Sequence, residues 1–316
     1  MHFINAFSIS LTYLLLLGCS DGPSSTLQVA EQGLLSAALS NKGMHAVVGS
    51  IHHGGSYWDF SSNERLYNWN HKSGEMSLLR TVDISKDGDL AATCQEDTIV
   101  LWDTQTGQAR QFWQAEDRIH SIALNAKGDR ALLGLRDGTV NYFDLNTGMS
   151  IFNFKHQAEV RSVRLSLDGT IGMSAGDDKV VKILDLTLGK EIHSKTLSNQ
   201  IKTIAISDSG RLAFATAQRE DSVVWDISTN ETIFSTDNRV TNFTAADFSD
   251  DEGHLSLGTF TGKVIRLNAV SGQQVNTWQA KPRQAYGSAS SNAILSIRDD
   301  DSKILALTSD GMLEIF

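Results

Sequence analysis

The stretch "SYWDFSSNERLYNWN", Ser56 to Asn70, holds two pairs of a tryptophan followed by an Asp or Asn, Trp58-Asp59 and Trp69-Asn70. Deciding which of them closes a strand sets the register of the whole chain. The answer lies in self-similarity. "LRTVDISKDGDLAATCQEDTIVLWDTQTGQ" from Leu79, "IHSIALNAKGDRALLGLRDGTVNYFDLNTGM" from Ile119, "VRSVRLSLDGTIGMSAGDDKVVKILDLTLGK" from Val160 and "IKTIAISDSGRLAFATAQREDSVVWDISTNE" from Ile201 share one plan. Each is three runs of β-forming residues broken by a Gly turn, an Asp turn and a Thr/Ser-Gly/Asn turn. The first turn recurs at Gly43, Gly88, Gly128, Gly169, Gly210, Gly253 and, in place of Gly, Asp301, which makes seven units. The interval from Gly88 to Asp103 or Gly169 to Asp185 repeats from Gly43 to Asp59. Trp58-Asp59 therefore closes the third strand (c) of the first unit. Trp69 matches Trp113, Phe154 and Trp278, the aromatics of a fourth strand (d), and is expected in the core.

Four short strands per unit with a Trp-Asp ending resemble the WD-repeat β-propeller family, over nearly all of Leu34 to Phe316. The resemblance implies an all-β, seven-bladed propeller of four-stranded antiparallel blades. The seventh unit stops at Phe316 without a strand d, and "STLQVAEQ", Ser25 to Gln32, is available to complete it and close the ring. The family also builds a hydrogen-bonded tetrad. Its members here are His156, Ser174 and Asp178, with Leu184 where the family has Trp. Packing between blades is thus expected to carry the fold.

The N-terminus has an apolar run, Ile9 to Leu17, too short to span a bilayer and ending at Gly-Cys. "LLGC" resembles the bacterial lipobox, which implies cleavage before Cys19 and lipidation of it; a plain cleaved signal and an uncleaved anchor are the alternatives. The expected organisation is a signal peptide at 1–18, a lipid-anchored linker at 19–25 and a single propeller at 26–316. Ser20 after the Cys favours the outer membrane, facing the periplasm. A chain entering from Cys19 is expected to emerge on the side of the c–d turns and to turn that side to the membrane. Cleavage leaves Cys94 as a lone thiol in an apolar setting, so no intrachain disulfide is expected.

The 316 residues are 41% hydrophobic and 20% charged with a formal net charge of −10, a globular composition that, with export, argues against nucleic acid. No G-x-S-x-G elbow, phosphate loop, H-E-x-x-H or C-x-x-C-H occurs. No catalytic residue, cofactor or metal is assigned. His52-His53 and the turn aspartates Asp97, Asp137, Asp178, Asp221 and Asp310 read most simply as local structure.

The a–b turns vary by one residue, in "SDDEG", and the c–d turns keep one length. Length variation falls in two d–a loops, after Trp69 and after Trp278. Variable loops on a rigid scaffold are where binding is commonly placed. On that face, residue two of each strand a reads Leu35, Arg80, His120, Arg161, Lys202, Thr244 and Ala293, an arc of cations to which Lys281 and Arg283 add, with Tyr286 as an aromatic anchor. The arc suits an acidic segment of another envelope protein, or it is solvated strand-start surface beside Glu116, Asp117 and Glu159. The resulting expectation is a monomeric, non-catalytic protein-interaction scaffold. The alternative is a binder of, or enzyme acting on, an anionic small molecule at the channel mouth.

Overall fold

Seven sheets of four antiparallel strands form the computed structural model, which describes residues 21–41, 43–72, 74–236, 241–283 and 292–316. Cys19 and Tyr286 lie outside the described residues. Six blades are continuous in sequence, at 34–69, 81–114, 119–155, 160–196, 201–236 and 243–279, and strands a to d follow one another outward. The seventh joins both ends of the chain. Its strands Ile294–Asp299, Ile304–Thr308 and Met312–Ile315 are completed by Ser25–Gln28, with Ser25 opposite Ile315 and Gln28 opposite Met312.

The strand patterns follow from what covers them. Strand b is sandwiched between neighbouring blades and reads as a nearly unbroken apolar run, fully buried in Leu212–Ala217. Strand d lies at the perimeter and alternates, as in Met149–Lys155. The apolar core is accordingly divided among the blade seams. Seven clusters each combine two adjacent blades: Trp69 with Trp102, Leu101 with Leu133, Val140 with Val163, Ile183 with Ile204, Phe214 with Leu257, Val264 with Ile304, and Leu307 with Val48. Each fully buried aliphatic or aromatic side chain in them contributes about 1.5–3 kcal/mol.

Trp69 belongs to the seam between the first two blades. Only 1% exposed, it stacks on Trp102 at 5.1 Å and donates its indole N–H to the Gly107 carbonyl at 3.0 Å. Its neighbour Tyr67 lies where a Cβ at Gly107 would sit, and Trp113 stands in the same relation to Gly148. Both glycines also have φ above +70°, so two constraints select glycine there. The Asp that ends strand c builds the same turn. Asp103 accepts from Gln105 N and Thr106 N, Asp144 from Asn146 N and Thr147 N, and Asp226 from Ser228 N and Thr229 N. These donors hold the carboxylates low, Asp103 at about 2, led by the Thr106 N–H.

One detail differs from expectation. The a–b turn of blade 6 is not longer than the rest: Ser249 caps His254 N as Ser85 caps Leu90 N, and Glu252, at φ 56°, takes the left-handed position instead of Gly253. The N-terminal strand starts at the c–d end of blade 7, where Ser25 lies opposite Ile315. The described residues before it pack against blade 6: Asp21 bridges Trp278 in parallel, and a side chain at Gly22 would meet Lys281.

Cys94 is 1% exposed, and burial pushes its thiol well up, in keeping with an inert core residue. Glu314 is also wholly buried: Oε1 accepts from Lys281 N at 2.8 Å while Oε2 has no partner among the described residues. Burial pushes its carboxyl up to about 7, against the Lys281 N–H, which favours the charged form.

Deleting Ser25–Gln28 should expose the edge of Met312–Ile315 and lower the melting temperature sharply; an unaltered thermal melt would contradict the closure. For Glu314 the folded pKa lies above the ordinary 4.5. The folded state therefore binds more protons than the unfolded one between these values, and stability falls as pH rises through that window. Glu314→Gln should thus raise the melting temperature over the parent at about pH 8, with the gain shrinking towards about pH 5. A gain that does not change with pH would refute the assignment.

Candidate interaction face

The second residue of strand a is set at the channel rim by a bulge. Strand pairing slips between Ile119 and Ser121, Val160 and Ser162, Ile201 and Thr203, Phe243 and Ala245, Leu34 and Ser36, and Ile294 and Ser296. The extra residue leaves the ladder and is re-aimed. The rim reads Leu35, Arg80, His120, Arg161, Lys202, Thr244 and Leu295. The seventh member is Leu295 and not Ala293, because Ile294 opens the last strand a. The residue after the bulge ties blades together: Ser36 Oγ donates to Leu79 O at 2.9 Å and Thr203 Oγ1 to Phe243 O at 2.9 Å.

The arc is present but largely compensated. Arg80 lies 3.7 Å from Glu96, His120 3.1 Å from Glu159, and Arg161 2.8 Å from Glu159 and beside Asp177. Burial, with Arg161 alongside, holds His120 below its ordinary range and favours its neutral form at neutral pH. Lys202 is exposed and has no carboxylate within salt-bridge range among the described residues. Lys281 and Arg283 are tied to blade 7 and stand apart from the arc. Lys281 N donates to Glu314, Arg283 N to Asp310 at 2.8 Å, and Arg283 Nη1 to Ala30 O at 3.1 Å.

Apolar surface adjoins Lys202. A depression of about 520 Å³ between blades 5 and 6 is lined by Lys202, Thr203, Gln218, Phe243, Phe260 and Leu295. Phe260, in a b–c turn, is 57% exposed.

The channel behind the rim, about 370 Å³, contains charges that the sequence reading passed over. The fifth residue of strand a reads Ala38, Asp83, Ala123, Arg164, Ala205, Asp247 and Arg298 around the ring. Arg298, 4% exposed, donates to Asp247 at 3.0 Å, to Asp250, and to Asn41 O at 2.7 Å, which joins blades 7, 6 and 1. Lys86 of blade 2 reaches Asp208 of blade 5 at 2.8 Å and bars the a–b end of the channel. Burial raises Asp83 and Asp247 above the usual carboxylate range. Lining up position five of each strand a is the comparison that would have found them.

The partial tetrad of blade 4 is formed, with His156 Nδ1 2.9 Å from Asp178 and Nε2 2.9 Å from Ser174 Oγ. A second, unanticipated chain occupies blade 2. Trp102 donates to Thr93 Oγ1 at 2.8 Å, while the His71 ring contacts Thr93 and Thr98 hydroxyls at 3.0 Å each. The signal was available: His71 follows Trp69 as His156 follows Phe154. Burial lowers His71 to about 4, so it is neutral at neutral pH. Asp137 and Asp178 cap backbone N–H groups of their own turns, and His52 and His53 are exposed.

The comparison with curated proteins gives no match. The model of the WD domain, G-beta repeat, matches residues 148–185. That span takes strand d of blade 3, Met149–Lys155, and strands a, b and c of blade 4. The sequence repeat is therefore offset by one strand from the blade, so each repeat interlocks with the blade before it. With this repeat set in a ring of seven four-stranded blades, the chain is a WD-repeat β-propeller.

Proposed function

We propose that the protein is a non-catalytic scaffold that binds other proteins through the face made by the d–a and b–c turns, and that a lipid on Cys19 anchors it in the bacterial envelope, on the outer membrane facing the periplasm. WD-repeat propellers are typically non-enzymatic scaffolds. The observation that carries the choice of face is its surface chemistry near Lys202. An exposed Phe260, Leu295 and a roomy apolar depression adjoin a cation that has no carboxylate within salt-bridge range among the described residues. An aromatic anchor beside a charge suits a protein segment with an apolar residue next to an acidic one. Arg80 and Arg161 contribute a band of alternating charge around that contact.

The same pairings disfavour a small anion at the mouth as the main ligand. It would have to displace Glu96, Glu159 or Asp177 from cations they already neutralise. The a–b end offers a barred channel.

A photo-crosslinking residue at position 202, with position 146 in a c–d turn as control, should yield a discrete protein adduct from 202 alone in cells. Adducts from 146 alone, or from neither, would overturn the choice of face. Independently, Cys19→Ala should release the protein from membranes, and full retention of that variant would remove the anchor.

A further inference from the structure

Away from the proposed binding face, the seam between blades 6 and 7 gathers a second set of charges in two a–b turns. "SDDEGH" ends strand a of blade 6 and opens its strand b, at 249–254, and "DDDSK" does the same in blade 7, at 299–303. Most of their carboxylates have evident work. Asp250 meets Arg298, Asp299 accepts from Ser256 Oγ and Arg266, and Asp300 caps Ser302 N and Lys303 N.

Asp251 accepts from Ser249 Oγ at 2.6 Å and from Gly253 N at 2.7 Å, and it also takes part in a grouping of three. Asp251, His254 and Asp301 each place one ligand atom within 4.8 Å of the other two, across the seam. The nearest guanidinium, Arg266, sits 2.9 Å from Asp299 and reaches Asp301 only at 4.0 Å. His254 supplies the independent clue: its Nδ1 is shut off from solvent and has no hydrogen-bond partner among the described residues. A shielded ring nitrogen without a partner is costly, and so are two carboxyl groups held this close; a cation among the three groups would relieve both.

We propose that Asp251, His254 and Asp301 bind a divalent cation of the zinc type. One imidazole nitrogen and two carboxylate oxygens form a mixed N/O set, which suits zinc; calcium and magnesium favour oxygen-only sets with more ligands. Zinc bonds of about 2.0–2.2 Å need modest inward rotation of side chains that already stand this close. Asp251 and Asp301 are exposed, so solvent can complete the coordination. The ion would clamp blade 6 to blade 7 beside the Arg298 pairs, on the blade that closes the ring.

The test uses the full chain without a histidine tag, stripped with chelator, and titrated with zinc chloride and separately with calcium chloride by calorimetry and thermal melting. About one zinc per chain and a rise in melting temperature are expected, with a weaker response to calcium. Asp301→Asn is the decisive variant because Asn tolerates the φ of 67° found there. It should melt no lower than the parent without metal, since it relieves the carboxylate pair, yet lose the zinc-dependent rise. His254→Gln should weaken zinc binding by about ten-fold or more. Absence of a zinc response in the parent, or an undiminished response in both variants, would overturn the site.

Discussion

A four-residue pairing, Ser25–Gln28 against Met312–Ile315, holds this molecule in its closed form. Every blade buries its apolar faces only against its two neighbours, so no blade has a core of its own. The seven seams are links of one ring, and the ring has a joint only where the chain ends meet. An open joint would leave the backbone donors and acceptors of Met312–Ile315 unpaired along an edge. The joint is reinforced locally. Ser24 donates to Ile315 O, Val29 N and Ala30 N to Gly311 O, and Arg283 bonds Ala30 O from the long d–a loop.

The seams share a common device at the perimeter. A strand d aromatic of one blade docks over the c–d turn of the next, and the Asp that ends strand c folds that turn into shape. Trp69 and Trp113 both add an indole hydrogen bond to a turn carbonyl. Two interactions therefore meet at each such turn. The Asp is local, closing its own turn, while the aromatic that docks there comes from strand d of the preceding blade. This division explains why the Trp-Asp signature tolerates Tyr-Phe-Asp, Leu-Asp and Leu-Asn so well: the capping acceptor persists in each, and another apolar side chain fills the seam.

Charge is arranged by depth. At the perimeter the carboxylates are solvated or turn-bound and stay ionised. Around the channel, Asp247 pairs with Arg298, while Asp83 accepts from Leu124 N and Arg164 donates to Val163 O among small and apolar neighbours. At the rim, Glu96, Glu159 and Asp177 approach the cations of blades 2 to 4, and Lys202 remains exposed beside apolar surface. An acidic chain thus presents neither a bare basic patch nor an apolar one, but a boundary between the two.

The sequence by itself determined the seven units, the order of strands, the role of Trp69 and the completion of the last blade by the N-terminal strand. Each of these rests on local chemistry repeated at fixed intervals: alternation, turn residues and a capping acid. Only the tertiary structure decided that Leu295 and not Ala293 completes the rim, because a bulge sets that register and periodicity does not reveal a bulge. It also decided that the arc is mostly paired and that Asp251, His254 and Asp301 converge. These relations join residues on different strands or different blades, at separations fixed by how the blades twist and pack, and no short-range pattern along one chain encodes such distances.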